Sequence, residues 1–205
     1  MRPPRSPAAR ADVGAASAGG PAADGTMGAV FVLESVWRPA APTARVWSVL
    51  ADPRFTWPDW WPGLTAGASH GVVGPDGLAA PGTWAHLRVR SPLGYALRFR
   101  LDLRETTAPS DGGPGRARLD VTGDLEGRAD VTVSDGPADA PAGTASAAGT
   151  TSAAEVRLLW QVSPGPPWFR AAATLAPAPL SWAHAHVMRA GERGLTTHLA
   201  PSTAR

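Results

Sequence analysis

Ten consecutive residues from Tyr95 to Arg104 alternate between apolar and mostly charged side chains. Successive side chains of a β-strand point to opposite faces of a sheet, so this alternation predicts a strand with one buried and one wet face. The predicted buried face carries Tyr95, Leu97, Phe99, Leu101 and Leu103, and the wet face carries Arg98, Arg100, Asp102 and Arg104. A chain that contains this segment must supply a second apolar layer to cover one side of a sheet.

The preceding apolar run joins this strand through a turn at residues 91–94, which contains Pro and Gly. Slipping the hairpin by one residue would place Arg88 and Arg90 on the apolar side, and the cost of burying charge excludes that slip. The predicted pairs are Ser91 with Tyr95, Val89 with Leu97, Leu87 with Phe99, and Arg88 with Arg98. The arginines then lie on a solvated sheet face. Asp120 on the next strand is their predicted counter-charge.

The remaining segments predict an α+β order of elements. Further strands are expected at 31–38, 83–90, 116–122, 128–134 and 155–162. Residues 43–50 have helical spacing with Thr43 as the N-cap, and the proline-punctuated segment 55–63 allows only a short helical turn. We therefore expect an antiparallel sheet of about six to seven strands, with two short helices after the first strand.

The longest helical segment is the C-terminal one, from Pro167 to Ala200. Pro177 and Pro179 interrupt it, so we expect a break or kink there. Beyond these prolines a stripe of residues recurs at helical spacing along one face. The stripe consists of Leu180, His184, Val187, Gly191, Leu195 and His198. This helix is the predicted cover of the apolar sheet face.

Two stretches lack the large apolar side chains that a folded core requires. Residues 1–27 are predicted to be a disordered N-terminal tail, and residues 136–154 a disordered loop between two strands. The folded domain is therefore predicted to span residues 28–200, with 201–205 as a C-terminal tail.

Composition and missing motifs exclude several classes of function. The chain has no Cys, and its formal net charge of +2 does not indicate a nucleic-acid-binding surface. No apolar run reaches the roughly 18 residues of a membrane span, and no secretory signal is evident, so a cytoplasmic location is expected. Motifs for phosphate, dinucleotide and zinc binding are also missing. We therefore expect no cofactor and no metal.

Five short motifs are characteristic when they occur together. They are PTARVWSVLADP at 42–53, WPDWWPG at 57–63, LGYALRF at 93–99, GDLEG at 123–127, and HAHVM at 184–188 followed by Gly191 and Gly194-Leu195. In combination they resemble the START-like (SRPBCC) superfamily, in its bacterial polyketide cyclase/dehydrase branch. The resemblance covers about residues 28–199. It implies a helix-grip fold, in which a curved antiparallel sheet surrounds a long C-terminal helix and encloses an apolar cavity.

The resemblance also implies ligand-binding positions on the inward side of the sheet and the last helix. These are Trp57, Trp61, Leu97, Phe99, Leu119, Trp160, His184 and Met188. The tryptophans at 57, 60 and 61 either stack on a ligand at the cavity or plug one end of the core. His184 is either a polar group inside the cavity, and then a candidate acid or base, or a core histidine with a hydrogen-bond partner.

Three functions remain open at this point. The chain binds a hydrophobic or aromatic small molecule, lipid- or polyketide-like, in the cavity. Alternatively, it is a polyketide cyclase or dehydratase that acts by positioning its substrate, with His184 or an acidic residue moving protons. Thirdly, the cavity has collapsed and is filled by tryptophan side chains. A ligand-binding pocket should reach about 300 Å³, and the enzyme hypothesis requires His184 to face it.

Overall fold

The computed structural model describes residues 30–110, 113–137, 153–167, 169–171 and 177–201. The predicted N-terminal tail at 1–27 lies outside the described residues, as do residues 138–152 of the predicted loop and 202–205 of the predicted C-terminal tail. The disorder expected for these segments, and the domain boundaries drawn from it, stay predictions.

Within the described residues, seven strands form one antiparallel sheet. They are β1 (Phe31–Trp37), β2 (Leu64–His70), β3 (Trp84–Arg90), β4 (Ala96–Thr107), β5 (Gly115–Gly123), β6 (Leu125–Asp135) and β7 (Ala154–Pro164). Strands β2 to β7 pair with their neighbours in sequence, and β1 returns to pair with β7. The spatial order is therefore β1-β7-β6-β5-β4-β3-β2, with β1 and β2 at the two edges.

The β3–β4 hairpin has the predicted register. The observed pairs are Val89 with Leu97, Leu87 with Phe99, and Arg88 with Arg98. The backbone N–H of Ser91 donates to the carbonyl of Tyr95 at 2.8 Å and closes the turn. Gly94 adopts a φ of 87°, a left-handed conformation that residues with a Cβ rarely take. The exclusion of buried arginine is thus sufficient to predict the pairing.

The sequence pattern did not predict β2. Its residues, LTAGASH, are small or polar, and only Leu64 is buried. The strand pairs with β3 at the edge of the sheet, with a register shift between Ala66 and Ser69. Its conformation is therefore supported by backbone pairing to β3, which leaves no alternation of apolar side chains in the sequence.

Two short helices follow β1 in the described chain, as predicted: α1 (Thr43–Leu50) and α2 (Trp57–Trp60). The N-cap of α1 is Pro42, not the predicted Thr43. The hydroxyl of Thr43 instead donates to the carboxylate of Asp135 at 2.5 Å, which ties the start of α1 to the end of β6.

The C-terminal helix α3 (Pro177–Leu199) contacts β1 and α2. Two glycines allow the close approach to α2. A Cβ on Gly191 would lie 2.5 Å from the ring of Trp61, and a Cβ on Gly194 would overlap the carbonyl oxygen of Trp60. His198, predicted on the inward stripe, is exposed in the last turn of the helix, where Leu199 packs against the core instead.

The architecture is α+β, a helix-grip fold, as predicted. The long helix and the two short ones cover the apolar face of the sheet, and the opposite face carries the charged residues. None of the helices in the described ranges combines the length and hydrophobicity that a membrane crossing needs.

Candidate ligand-binding cavity

An apolar cavity of about 130 Å³ lies between the sheet and α3. The helix contributes Leu180, Ser181, Ala183, His184, Val187 and Met188. Apart from indole N–H groups, the polar side-chain groups that the described residues place at its walls are three hydroxyls and the imidazole of His184. No group of three or more His, Asp or Glu residues in the described part of the chain is arranged to hold a metal ion.

Seven of the eight predicted ligand-binding residues line this cavity. They are Trp57, Trp61, Leu97, Phe99, Trp160, His184 and Met188. Leu119 does not: it lines a smaller cavity beside α1, because β5 places it opposite Leu103 and away from α3. The structure thus brings seven of these positions together, and their role in ligand binding stays a prediction.

The predicted set omitted residues at both ends of the cavity. Phe31 and Leu33 line it from β1, and Phe169 lines it after β7, with its ring centroid 6.1 Å from that of Tyr95. The alternation of β1 places Phe31 and Leu33 on one face, so this signal was sufficient to find them. Phe169 follows a proline-rich segment without periodicity, and the sequence contains no comparable signal for it.

The tryptophans of the 57–63 segment divide between the core and the cavity wall. Trp60 is 6% exposed and does not line the cavity, whereas Trp57 and Trp61 do. The indole N–H of Trp61 donates to the carbonyl of Val187 in α3 at 3.1 Å. The indole N–H of Trp57 donates to the carbonyl of Leu50 at the end of α1, at 2.9 Å. Each wall tryptophan thus donates one hydrogen bond to a backbone carbonyl.

His184 lies on the cavity side of α3, and its imidazole also faces β1. Its Nε2 is 3.4 Å from the hydroxyl oxygen of Ser35, a long hydrogen bond whose donor depends on the imidazole tautomer. Burial lowers the pKa of His184 from its usual value near 6.5 to about 4. The imidazole is therefore neutral at neutral pH. It can donate or accept a hydrogen bond in the cavity, but it is a weak proton acceptor.

Three buried indole N–H groups have no hydrogen-bond partner among the described residues, those of Trp37, Trp60 and Trp160. Of these residues, Trp160 borders the cavity, with its ring centroid 6.0 Å from that of Phe99. An unsatisfied buried donor costs about 1–3 kcal/mol.

The volume of the cavity limits its occupant. The volume of about 130 Å³ is below the roughly 300 Å³ expected for a pocket that holds a drug-sized ligand. An engineered apolar cavity of roughly 150 Å³ stays dry and binds benzene. The expected size is therefore not reached, and the space that Trp57, Trp61 and Trp160 leave between them has room, in this conformation, for about one aromatic ring.

The fold and the cavity define a helix-grip protein with an internal apolar pocket. The chain matches no protein-family model and no curated protein. Protein CV1439 from Chromobacterium violaceum has a similar solved structure, with 17% identity and a TM-score of 0.48 over 83% of this chain and 98% of that one. Protein Ms6760 from Mycobacterium smegmatis is 13% identical, with a TM-score of 0.49 over 85% of this chain and 93% of that one. Ara h 8.0201 is 14% identical, with a TM-score of 0.44 over 83% of this chain and 98% of that one. Likenesses at this level carry no statement about function.

Proposed function

We propose that this protein binds a small apolar or aromatic molecule in the cavity between the sheet and α3. The observation that supports the proposal most is a space between the sheet and α3 with almost entirely apolar walls and one imidazole, that of His184, among them. Burying apolar ligand surface contributes about 25 cal/mol per Å². The few polar groups would orient the ligand.

The chemistry of the walls specifies the kind of ligand. The rings of Trp57 and Trp61 offer faces for stacking, which suits an aromatic group. A charged ligand is disfavoured, because none of the described residues that line the cavity carries a charge to offset its desolvation. A hydroxyl or carbonyl group on the ligand is favoured, since neutral His184 is able to pair with either. A phenol-like molecule meets all three conditions.

The same proposal includes membership of the START-like superfamily, in the polyketide cyclase/dehydrase branch, for a folded domain at residues 28–200. The sequence motifs and the helix-grip fold support this membership. A lipid- or polyketide-like ligand longer than one ring fits only if part of the wall moves, because the space is about 130 Å³.

Binding is favoured over the alternative of a cyclase or dehydratase. His184 is the candidate acid or base, and it faces the cavity as that hypothesis requires. With its pKa lowered to about 4, however, it is a neutral imidazole at neutral pH, which is a poor general acid and a weak base. Ligand orientation by hydrogen bonding is the role that this environment supports.

Native mass spectrometry of the protein from its own host is the first test. A co-purifying apolar or aromatic molecule at one per chain is the expected result.

Calorimetric titration with phenol then tests the site itself. Val187→Trp, which fills the cavity from α3, should abolish binding, whereas Trp182→Ala, at an exposed position on the same helix, should leave it unchanged. Equal phenol affinity in both variants would place binding outside this cavity.

A further inference from the structure

A second cavity, of about 60 Å³, lies beside α1. Leu103, Leu119 and other apolar residues of the sheet line it, and Trp47 covers it from the helix. Two of the polar side chains at its edge, Thr83 and Asp52, are already engaged. The hydroxyl of Thr83 donates to the carbonyl of Val72, and the carboxylate of Asp52 accepts from the Arg54 guanidinium at 2.9 Å. An occupant of this space would therefore be apolar.

The two cavities share a wall formed by Trp57 and Leu101, whose side chains line both. Leu101 is 3% exposed in the middle of β4 and cannot move independently of the sheet. Trp57 begins α2, which has only four residues, and its ring is partly buried. It is held by one hydrogen bond to the carbonyl of Leu50. Its ring also packs against those of Phe55 and Trp61, with centroids 4.8 Å and 6.2 Å away. Trp57 is the less constrained half of the wall.

The backbone immediately before α2 is strained. Phe55 has a φ of 57°, in the left-handed region that is unfavourable for a bulky side chain. Phe55 also lines the second cavity and contacts the ring of Trp57. A strained residue beside a wall residue favours movement there, because relaxing the backbone offsets part of the work of displacing the ring.

We propose that the second cavity is a subsite for the same ligand, which accepts a short alkyl chain, and that Trp57 moves aside to admit it. This inference rests on the proposed function, because the ring of the ligand occupies the first cavity. It names the ligand class as an aromatic ring with an alkyl substituent. Trp57 then determines how long that substituent can be.

Phenol and para-butylphenol are the probes, because they differ only in the chain assigned to the second cavity. Leu103→Phe fills that cavity and leaves the first one unchanged, since Leu103 lines the second cavity alone. It should weaken para-butylphenol at least about tenfold, because each buried methylene strengthens binding about fourfold. Phenol affinity should change less than about twofold, because phenol has no chain to place in the second cavity. Trp57→Ala, which opens the wall, should strengthen para-butylphenol relative to phenol.

A measurement on the wild-type chain guards against variants that fail to fold. Trp47 lines only the second cavity and is buried, so its resonance in fluorotryptophan-labelled protein reports on that space. The resonance is assigned by its loss in Trp47→Phe. We expect para-butylphenol to shift it and phenol to leave it in place.

The outcomes separate the two proposals. If phenol does not bind the wild-type chain, the proposed function fails, and this inference fails with it. If both probes bind but Leu103→Phe weakens them equally and the Trp47 resonance responds to neither, the second subsite is overturned and the first cavity stands. A selective loss of para-butylphenol binding, with the Trp47 shift, establishes the subsite.

Discussion

The two faces of the sheet are built from the same strands, but they are stabilised by different interactions. On β4, Phe99 and Leu101 are buried against the helices, while Arg98 and Arg104 point to solvent. The inner face contacts α1, α2 and α3 and encloses both cavities. The outer face pairs its charges across neighbouring strands, as in the 2.6 Å contact between Arg104 and Asp120.

This difference indicates where the folding free energy resides. Burial of an apolar side chain contributes about 1.5–3 kcal/mol, whereas an exposed ion pair contributes about 0–1 kcal/mol. Arg104 and Asp120 are 59% and 43% exposed, so their pair belongs to the weaker class. Stability should therefore respond steeply to changes on the inner face and weakly to changes on the outer one.

The largest effect is expected at Leu101, which lies between the two cavities. Leu101→Ala should lower the free energy of unfolding by about 4 kcal/mol, because side chains around two existing spaces cannot collapse to fill a third. Urea denaturation measures the loss. Arg98→Ala on the outer face of the same strand is the matched control, and a change within about 0.5 kcal/mol is expected there. Similar losses in both variants would contradict the contrast between the faces.

A smaller loss is expected where α3 crosses α2. Gly194→Ala should cost about 2–3 kcal/mol, because the added methyl group would overlap the carbonyl oxygen of Trp60 and push the helices apart. At an exposed helix position, the same substitution would instead stabilise by about 1 kcal/mol. The sign of the change in thermal unfolding therefore decides whether the close approach exists. Arg193→Ala, on the exposed side of the helix, serves as the control.

The sequence was most informative where an alternative arrangement would have buried a charge. The β3–β4 register follows from Arg88 and Arg90, and Asp120 was correctly assigned as a counter-charge, here to Arg104. Most cavity positions followed from strand parity together with the family resemblance. Leu119 shows the limit, because parity identifies the inward face but not which of two cavities that face meets.

Other features depend on distances that no local pattern encodes. The strand β2 is supported by its backbone pairing with β3, so its side chains left no signal. The volume of the first cavity depends on how closely α3 approaches the sheet, and its separation from the second depends on the position of one ring, that of Trp57. The lowered pKa of His184 follows from the same enclosure.

His184 should make stability depend on pH through the inner face. Its pKa is about 4 in the folded chain and near 6.5 when unfolded, so the unfolded state binds the proton more tightly between these values. Stability is thus unaffected above about pH 6.5 and is lost as the pH falls towards 4. The loss from this group between pH 7 and pH 5 should be about 2 kcal/mol.

His184→Gln removes this group and keeps a hydrogen-bonding side chain. Urea denaturation of both proteins at pH 7, 6 and 5 isolates its contribution, because titration of the carboxylates is common to the two. The variant should lose less stability than the wild type across this range. Parallel losses would show that the imidazole titrates in the folded chain much as it does in water.

The smallest effect is expected for the ion pair between Arg104 and Asp120 on the outer face. Its atoms are 2.6 Å apart, but both side chains are largely solvated. A double-mutant cycle with Arg104→Ala and Asp120→Ala should give a coupling energy of about 0.5 kcal/mol, which decreases as salt is added. A coupling above about 2 kcal/mol that resists salt would mean that the pair is shielded from water, as buried pairs are. The outer face would then be covered by something other than solvent, and the contrast between the two faces would need to be redrawn.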